Sequence, residues 1–331
     1  MKKQKRFRAI KLLHLLWILP LLVLLPVAVL MYVVPAFETA DRTAVEGSAN
    51  WMARLDDGKP LSEVTLPGTH DSATKDVQLA FFSKCQALDI GEQLEAGYRY
   101  LDIRLGADGE KLKLMHGFTN CTTVNAPWAD ALYLDAVLED CYAFLNAHPT
   151  EAVVFAVKQE HGDESVAQFE QLLNAYVQKN PDKWLLTDSV PTVSEARGKL
   201  VLMRRYADEA NLGKNSGIQL LWDNQNGHDD VSKNLAVHDN GSYTLSVQDR
   251  YEYDAADKWD AFTAGLLAGR TGADAVSIHF LSTKGTATYG HPYKFAKALN
   301  PKLLGTDALS GWIIVDFADA KLAQHIYETN F

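Results

Sequence analysis

Short apolar runs alternate with longer stretches of helical spacing along most of the chain. The predicted strands are 63–68 (EVTLPG), 98–105 (YRYLDIRL), 111–117 (KLKLMHG), 151–159 (EAVVFAVKQ) and 199–205 (KLVLMRR). They continue with 218–222 (IQLLW), 243–249 (YTLSVQD), 274–282 (DAVSIHFLS) and 311–317 (GWIIVDF). Several are continuously apolar rather than alternating, as expected of parallel strands covered on both faces. Between them, Val166, Phe169, Leu172, Leu173, Tyr176 and Val177 recur at helical spacing. Residues 131–147 are similarly periodic and stop at His148-Pro149, and Thr192-x-x-Glu195 has the form of a capping box. About eight strands alternating with helices over about 270 residues predict an α/β fold, a single TIM-type (β/α) barrel, regular or distorted, spanning 61–331. A doubly wound sheet is the alternative, but no G-x-G-x-x-G follows the first strand.

The first 37 residues break this pattern. Six cations (Lys2, Lys3, Lys5, Arg6, Arg8, Lys11) precede 26 residues, Leu12 to Phe37, without Asp, Glu, Lys or Arg. About 20 apolar residues span a bilayer core, and a basic flank stays cytoplasmic. Residues 1–37 therefore read as a cytoplasmic basic stub with one transmembrane signal-anchor helix, and 38–60 as a polar linker and lead-in. A cleaved signal peptide is the rival, with Val34-Pro35-Ala36 as a cleavage site, although its apolar core would be long for that role. Either reading puts the barrel outside the cytoplasm, anchored in the cell envelope or secreted.

Composition changes the picture in two ways. The whole chain carries −10, but without the basic stub it holds 26 basic and 42 acidic side chains, a net of −16. That argues against a nucleic acid partner, whose phosphates select a basic face. The three cysteines rule out a disulfide scaffold, yet an extracytoplasmic barrel permits one bridge. Cys85–Cys121 is the expected pair, because both fall in loop-like segments beside the polar motifs, with Cys141 a buried thiol in a helix.

In such barrels the chemistry gathers at the C-terminal ends of the strands. Those ends carry His70 and Asp71, Asp102 and Arg104, His116, Lys158, Arg204 and Arg205, Asp249 with Tyr251, His279 and Asp316. Taken singly, each has a plain explanation: a loop histidine, a structural Asp102–Arg104 pair, a tyrosine that packs. Their convergence on one face carries the functional case. Two histidines can divide base and acid work near neutral pH, each with a carboxylate (Asp71 or Asp316) to fix its tautomer. An arginine between them can neutralise charge on a phosphoryl group. This is the equipment for metal-free cleavage of a phosphodiester by an internal hydroxyl.

LPGTHDSAT (66–74), GYRYLDIRL (97–105) and LMHG (114–117) together resemble the bacterial phosphatidylinositol-specific phospholipase C family, in its X-type catalytic domain. The likeness continues through VKQE (157–160), RGKLVLMRR (197–205), SVQDRY (246–251) and GWIIVDF (311–317). The resemblance implies that His70 is the general base, oriented by Asp316, and that His116 is the general acid, partnered by Asp71. It implies that Arg104, beside Asp102, stands where eukaryotic relatives bind calcium, so that no cofactor or metal is needed. Asp102, Lys158, Asp249 and one of Arg204 and Arg205, with Arg205 preferred, would serve substrate binding, with Tyr251 stacked under the inositol ring. The implied partner is a phosphatidylinositol-type lipid, plain or glycosylated, met by a monomer that releases diacylglycerol and inositol 1,2-cyclic phosphate. Phe81-Phe82, Trp128 and Tyr293 are the candidates for membrane contact at the rim. Two other readings stay open: a metal-dependent glycerophosphodiester- or sphingolipid-type phosphodiesterase, and a non-catalytic glycolipid-binding envelope module.

Overall fold

The computed structural model describes residues 20, 22–210, 212, 216–225, 236–239, 243–269 and 272–331, the backbone alone for 236–239. Within them, twelve strands join one sheet. They are β1 Leu66–Thr69, β2 Tyr100–Asp108, β3 Lys111–His116, β4 Thr119–Asn120, β5 Val153–Gln159 and β6 Trp184–Leu185. The rest are β7 Leu200–Arg204, β8 Ile218–Gln219, β9 Ala236–Asp239, β10 Thr244–Gln248, β11 Ala275–Phe280 and β12 Trp312–Val315. The order is β6-β7-β5-β2-β1-β12-β11-β10-β9, and every neighbouring pair up to β10 is parallel.

The barrel is distorted and open. Beside β7, β6 pairs with its first half and β8 with its last. On the other side β9 runs antiparallel to β10, and no described strand pair completes the ring. The Tyr243 hydroxyl bonds the Gln219 carbonyl across this side. The predicted run 111–117 does form a strand, but as the second arm of a hairpin with β2 and not as a barrel stave. An extended β2 carries that hairpin outward, which brings His116 back over the strand ends.

Helices cover the sheet: α1 Ala80–Ser83, α2 Ile90–Glu95, α3 Leu134–Ala147, α4 Val166–Lys179 and α5 Val193–Ala196, of which α3 and α4 fall where the spacing predicts them. After them come α6 Ala255–Ala268, α7 Pro292–Leu303 and α8 Ala320–Tyr327. Thr192 accepts from the Glu195 N–H and the Glu195 side chain returns to the Thr192 N–H, the reciprocal capping of α5. Two apolar clusters fill the spaces between layers. β1 lies so close to its neighbours that a methyl group on Gly68 would come within 2.4 Å of Ile314 and 2.8 Å of Tyr100.

The lead-in is part of the domain and closes the N-terminal end of the barrel. Trp51 and Met52 are fully buried. Trp51 stacks on Tyr327 of α8 at 5.0 Å and donates to the Gly97 carbonyl. Arg99, fully buried at the foot of β2, pairs with Glu151 at 2.8 Å and donates to the carbonyls of Ser48 and Ala49. A buried guanidinium needs its donors filled, and these partners fill them.

The predicted transmembrane helix falls partly on residues 12–19 and 21, which lie outside the described residues. Among the described residues no helix is long and apolar enough to cross a membrane. Residues 22–36 are helical, with Leu22, Val23, Leu24 and Leu25 each more than 60% exposed.

Candidate active site

The C-terminal ends of the strands surround a cavity of about 560 Å³. His70, Arg104, His116, Lys158, Arg205, Asp249, Tyr251 and Asp316 all line it. Residues separated by up to 246 positions thus share one wall, as with His70 and Asp316.

His70 follows β1 and Asp316 follows the adjacent β12, so the parallel pairing of these strands brings them together. His70 Nδ1 lies 2.8 Å from Asp316 Oδ1, and Nε2 lies 3.1 Å from Asp71 Oδ2. With a carboxylate on each nitrogen the ring favours the doubly protonated form. Burial pulls the His70 pKa down, but Asp71 and Asp316 outweigh it and leave it above the ordinary histidine value. Asp71 reaches its position through a backbone φ of 42°, unusual outside glycine and tolerated best by Asn and Asp.

The Asp71 carboxylate is shared. Its Oδ2 also faces His116 Nε2 at 3.6 Å, while Oδ1 lies 3.0 Å from Arg104 Nε. His116 Nδ1 is 2.8 Å from the Ser83 carbonyl of α1. A carbonyl only accepts, so the proton sits on Nδ1 and Nε2 is the nitrogen presented to the cavity.

Arg104 and Arg205 are held from below by Asp102. Asp102 is fully buried and does not line the cavity; it accepts from Arg104 Nη2 at 2.9 Å and Arg205 Nη1 at 3.0 Å. Burial alone would raise its pKa, but the two guanidinium groups hold its carboxyl well below the usual carboxylate range. The adjacent arginines separate cleanly, since side chains alternate along a strand. Arg204 is buried on the outer side and donates to the Gly217 carbonyl at 3.1 Å. Arg205 points inward, 3.8 Å from Asp249 and with its guanidinium carbon 3.9 Å from the centre of the Trp222 ring.

Two residues of this site are absent from the strand-end reading. Glu160 bridges Lys158 at 2.5 Å, Arg104 at 3.3 Å and the Gly117 N–H at 2.9 Å, tying β5 to the turn after His116. Its signal was its position two residues beyond Lys158, on the same face. Trp222 donates to Asp249 at 3.1 Å and lies under Arg205; as the last residue of IQLLW it also stood at a strand end. His279 belongs elsewhere. It is fully buried between β11 and α6, and burial, then the charge of Lys258, brings its pKa down to about 3. Phe280, next along, faces His70 edge-on at 6.0 Å.

The expected Cys85–Cys121 bridge is not formed: all three cysteines are free and buried. Cys121 and Cys141 pack in one apolar cluster, whereas Cys85 lines the cavity with its sulfur 4.0 Å from His116 Nδ1. The two predicted partners face different surroundings. Overlapping sets such as His70, Cys85 and Asp316 bring ligand-type atoms within 4.8 Å of one another, but the Arg104 cation already lies against Asp71, Asp102 and Glu160.

At the rim, Trp128 is 84% exposed and Phe118 and Tyr289 are each 63% exposed. Phe82 lines the cavity, Phe81 stacks on His291, and Tyr293 packs on Phe317.

The PI-PLC X family model matches residues 57–215. The 1-phosphatidylinositol phosphodiesterase of Staphylococcus aureus (strain Newman) is 32% identical over 292 residues, covering 81% of this chain and 88% of that protein. The chain belongs to the bacterial phosphatidylinositol-specific phospholipase C family. The enzyme of the same name from Listeria monocytogenes is 26% identical and covers 85% of this chain and 84% of that one. In three dimensions, the F249X mutant of the Staphylococcus aureus phosphatidylinositol-specific phospholipase C aligns with a TM-score of 0.70 at 28% identity, over 85% of this chain and 98% of that one. The family's TIM-type barrel is therefore this protein's fold.

Proposed function

We propose that the protein cleaves phosphatidylinositol, plain or glycosylated, to diacylglycerol and inositol 1,2-cyclic phosphate. The observation that carries this is the arrangement of His70 and His116 around one carboxylate, Asp71, with Arg104 beside it. His70, oriented through Nδ1 by Asp316, takes the proton of the inositol 2-hydroxyl at Nε2. That oxygen forms its bond to phosphorus as the bond to the diacylglycerol oxygen breaks. His116 Nε2 gives its proton to the departing oxygen, with Asp71 stabilising the imidazolium beforehand. Arg104 carries the charge that builds on the phosphoryl oxygens.

The inositol ring is bound by Lys158, Arg205 and Asp249, with Tyr251 against its face. Asp102, Glu160 and Trp222 set the angles of those groups. The fixed guanidinium supplies the positive charge among three carboxylates, so the proposed reaction proceeds without a metal cofactor. The domain acts as a monomer on lipid in a bilayer, with residues 1–37 as its signal-anchor and the barrel extracytoplasmic.

Phosphorus NMR of the full chain acting on phosphatidylinositol tests the reading. A cyclic inositol phosphate resonance is expected, unchanged by EDTA. Direct appearance of an acyclic phosphate, or no turnover of inositol lipids, overturns it.

A further inference from the structure

A tether needs only length, yet the last turns of the N-terminal apolar helix are gripped by three separate parts of the barrel rim. Lys84, 8% exposed, donates from Nζ to the Pro35 carbonyl at 2.7 Å and the Glu38 carbonyl at 2.9 Å. Carbonyls at a helix C-terminus have no partner within the helix and carry its negative dipole end, so a buried ammonium is the fitting cap. Asn125 donates to the Tyr32 carbonyl at 2.8 Å, one turn earlier. Glu38, itself buried, meets His291 Nε2 at 2.5 Å, and the His291 ring stacks on Phe81 at 4.1 Å. Burial lowers the Lys84 pKa. An ammonium kept there against that cost, with a carboxylate and two carbonyls around it, marks a specific joint.

The joint lies at the mouth of the cavity. Lys84 directly follows Ser83, a cavity-lining residue, and Pro292 after His291 is another. On the same rim Val124 and Trp128 are 54% and 84% exposed, next to the Asn125 contact with the helix. The exposed apolar helix thus meets the rim beside the cavity mouth, with Val124 and Trp128 flanking its Asn125 contact.

We propose that this clasp, centred on Lys84, is a positioning device: it fixes the barrel to its own membrane helix so that the cavity mouth is held against the bilayer surface the helix enters. The inference rests on the anchoring and lipid-cleaving role proposed above. Lys84, Asn125 and His291 are positioning residues and touch no substrate. A barrel swivelling on a free joint presents its mouth to lipid in only a fraction of its orientations; confinement to a narrow cone raises productive encounters by about tenfold.

The test compares Lys84→Met with wild type as full chains in vesicles of phosphatidylcholine containing a minor fraction of phosphatidylinositol, and separately on a water-soluble inositol phosphodiester. The expected result is a loss of about tenfold on vesicle lipid with turnover of the soluble ester unchanged. An equal loss on both overturns the proposal and assigns Lys84 to His116 through the Ser83 carbonyl; no loss on vesicles overturns it as well. Should Lys84→Met fail to fold, the double variant Asn125→Ala, His291→Ala carries the same comparison. A second readout is independent of activity: quenching of Trp128 by brominated lipid, taken as the difference between wild type and Trp128→Phe. That quenching is expected in the clasped protein and lost in the clasp variants. Its absence from wild type overturns the clasp, whereas wild type that cleaves neither substrate overturns only the proposed function.

Discussion

Replacing Asp316 by Asn keeps the shape beside His70 and removes the charge. In the wild type the contact is 2.8 Å and almost closed to solvent, with the Asp316 side chain 3% exposed. Charges centred about 4 Å apart at an effective dielectric of about 20 attract by ~4 kcal/mol. At 1.36 kcal/mol per pKa unit this bounds the effect at about 3 units, within the range of about 1–3 seen for a neighbouring opposite charge. His70 must be unprotonated to accept the 2-hydroxyl proton, and its pKa lies above the ordinary value. The acidic limb of wild-type kcat/KM is therefore set above about 6.5, and in Asp316→Asn it moves about 1–3 units toward acid. At the plateau the variant loses about 10²–10⁴-fold, because an amide neither stabilises the imidazolium nor enforces the tautomer. Since each unit of displacement restores up to about tenfold at acid pH, the deficit shrinks as pH falls. A pH profile of kcat/KM on a soluble inositol phosphodiester measures both. A limb that stays in place while the rate falls refutes the assignment of His70 as the base. Stability offers a second check with its own sign. A raised histidine pKa stabilises the fold fully below the unfolded value of about 6.5 and loses that contribution as pH rises through the folded pKa. The melting temperature of the variant should thus fall further below wild type in mildly acid than in alkaline buffer.

Arg104→Lys keeps a charge but loses the planar fork that spans Asp71, Asp102 and Glu160, so turnover should drop about 10²–10³-fold; near-wild-type kcat would sink its role at the phosphoryl group. Arg205→Ala is expected to raise KM for the inositol ester, whereas Arg204→Ala should lower the melting temperature and leave KM unchanged. Steady-state kinetics with thermal unfolding separates the two, and the reverse pattern would show that the alternation was misread. Lys258 is fully buried and donates to Gln248 Oε1 and the Arg250 carbonyl, and burial brings its pKa down to about 7. Between about 7 and the unfolded value of about 10.4 the unfolded chain binds more protons, so stability rises with pH. Lys258→Met should flatten that slope in urea unfolding measured across this range, and an unaltered slope would assign it to another group.

The strand pattern, the helical spacing and the motifs HDS, LDIR and HG were legible in the chain because they are local. Period-2 and period-3.6 burial need only the residues themselves, and a strand-end rule then points to His70, Arg104, His116 and Asp316. The Thr192–Glu195 cap was legible for the same reason. What the sequence left open were matters of side-chain direction and long-range neighbourhood. Arg204 and Arg205 differ only in parity, and parity is decided by how β7 registers against β5. His279 stood at a strand end like the rest, but the same parity turned it toward α6. Glu160 and Trp222 became part of the site only when β5, β7 and the segment after β8 came within reach of one another. Cys85 and Cys121 shared a local signature and ended in different environments, one at the cavity and one in the core.

The sequence by itself determined the class of fold, the charge-free N-terminal run and the identity of most groups that meet at the cavity. Only the tertiary structure decided that one oxygen of Asp71 faces both histidines while the other meets Arg104, that Asp102 lies beneath the arginines and not in the cavity, and that Lys84 caps the apolar helix. The reason is physical. Local patterns record how a segment partitions between water and core, a property each segment carries alone. Hydrogen-bond direction, ion-pair geometry and the pKa of His70 depend on charges brought within a few ångströms by strands hundreds of residues apart, and those distances exist only once the sheet has formed.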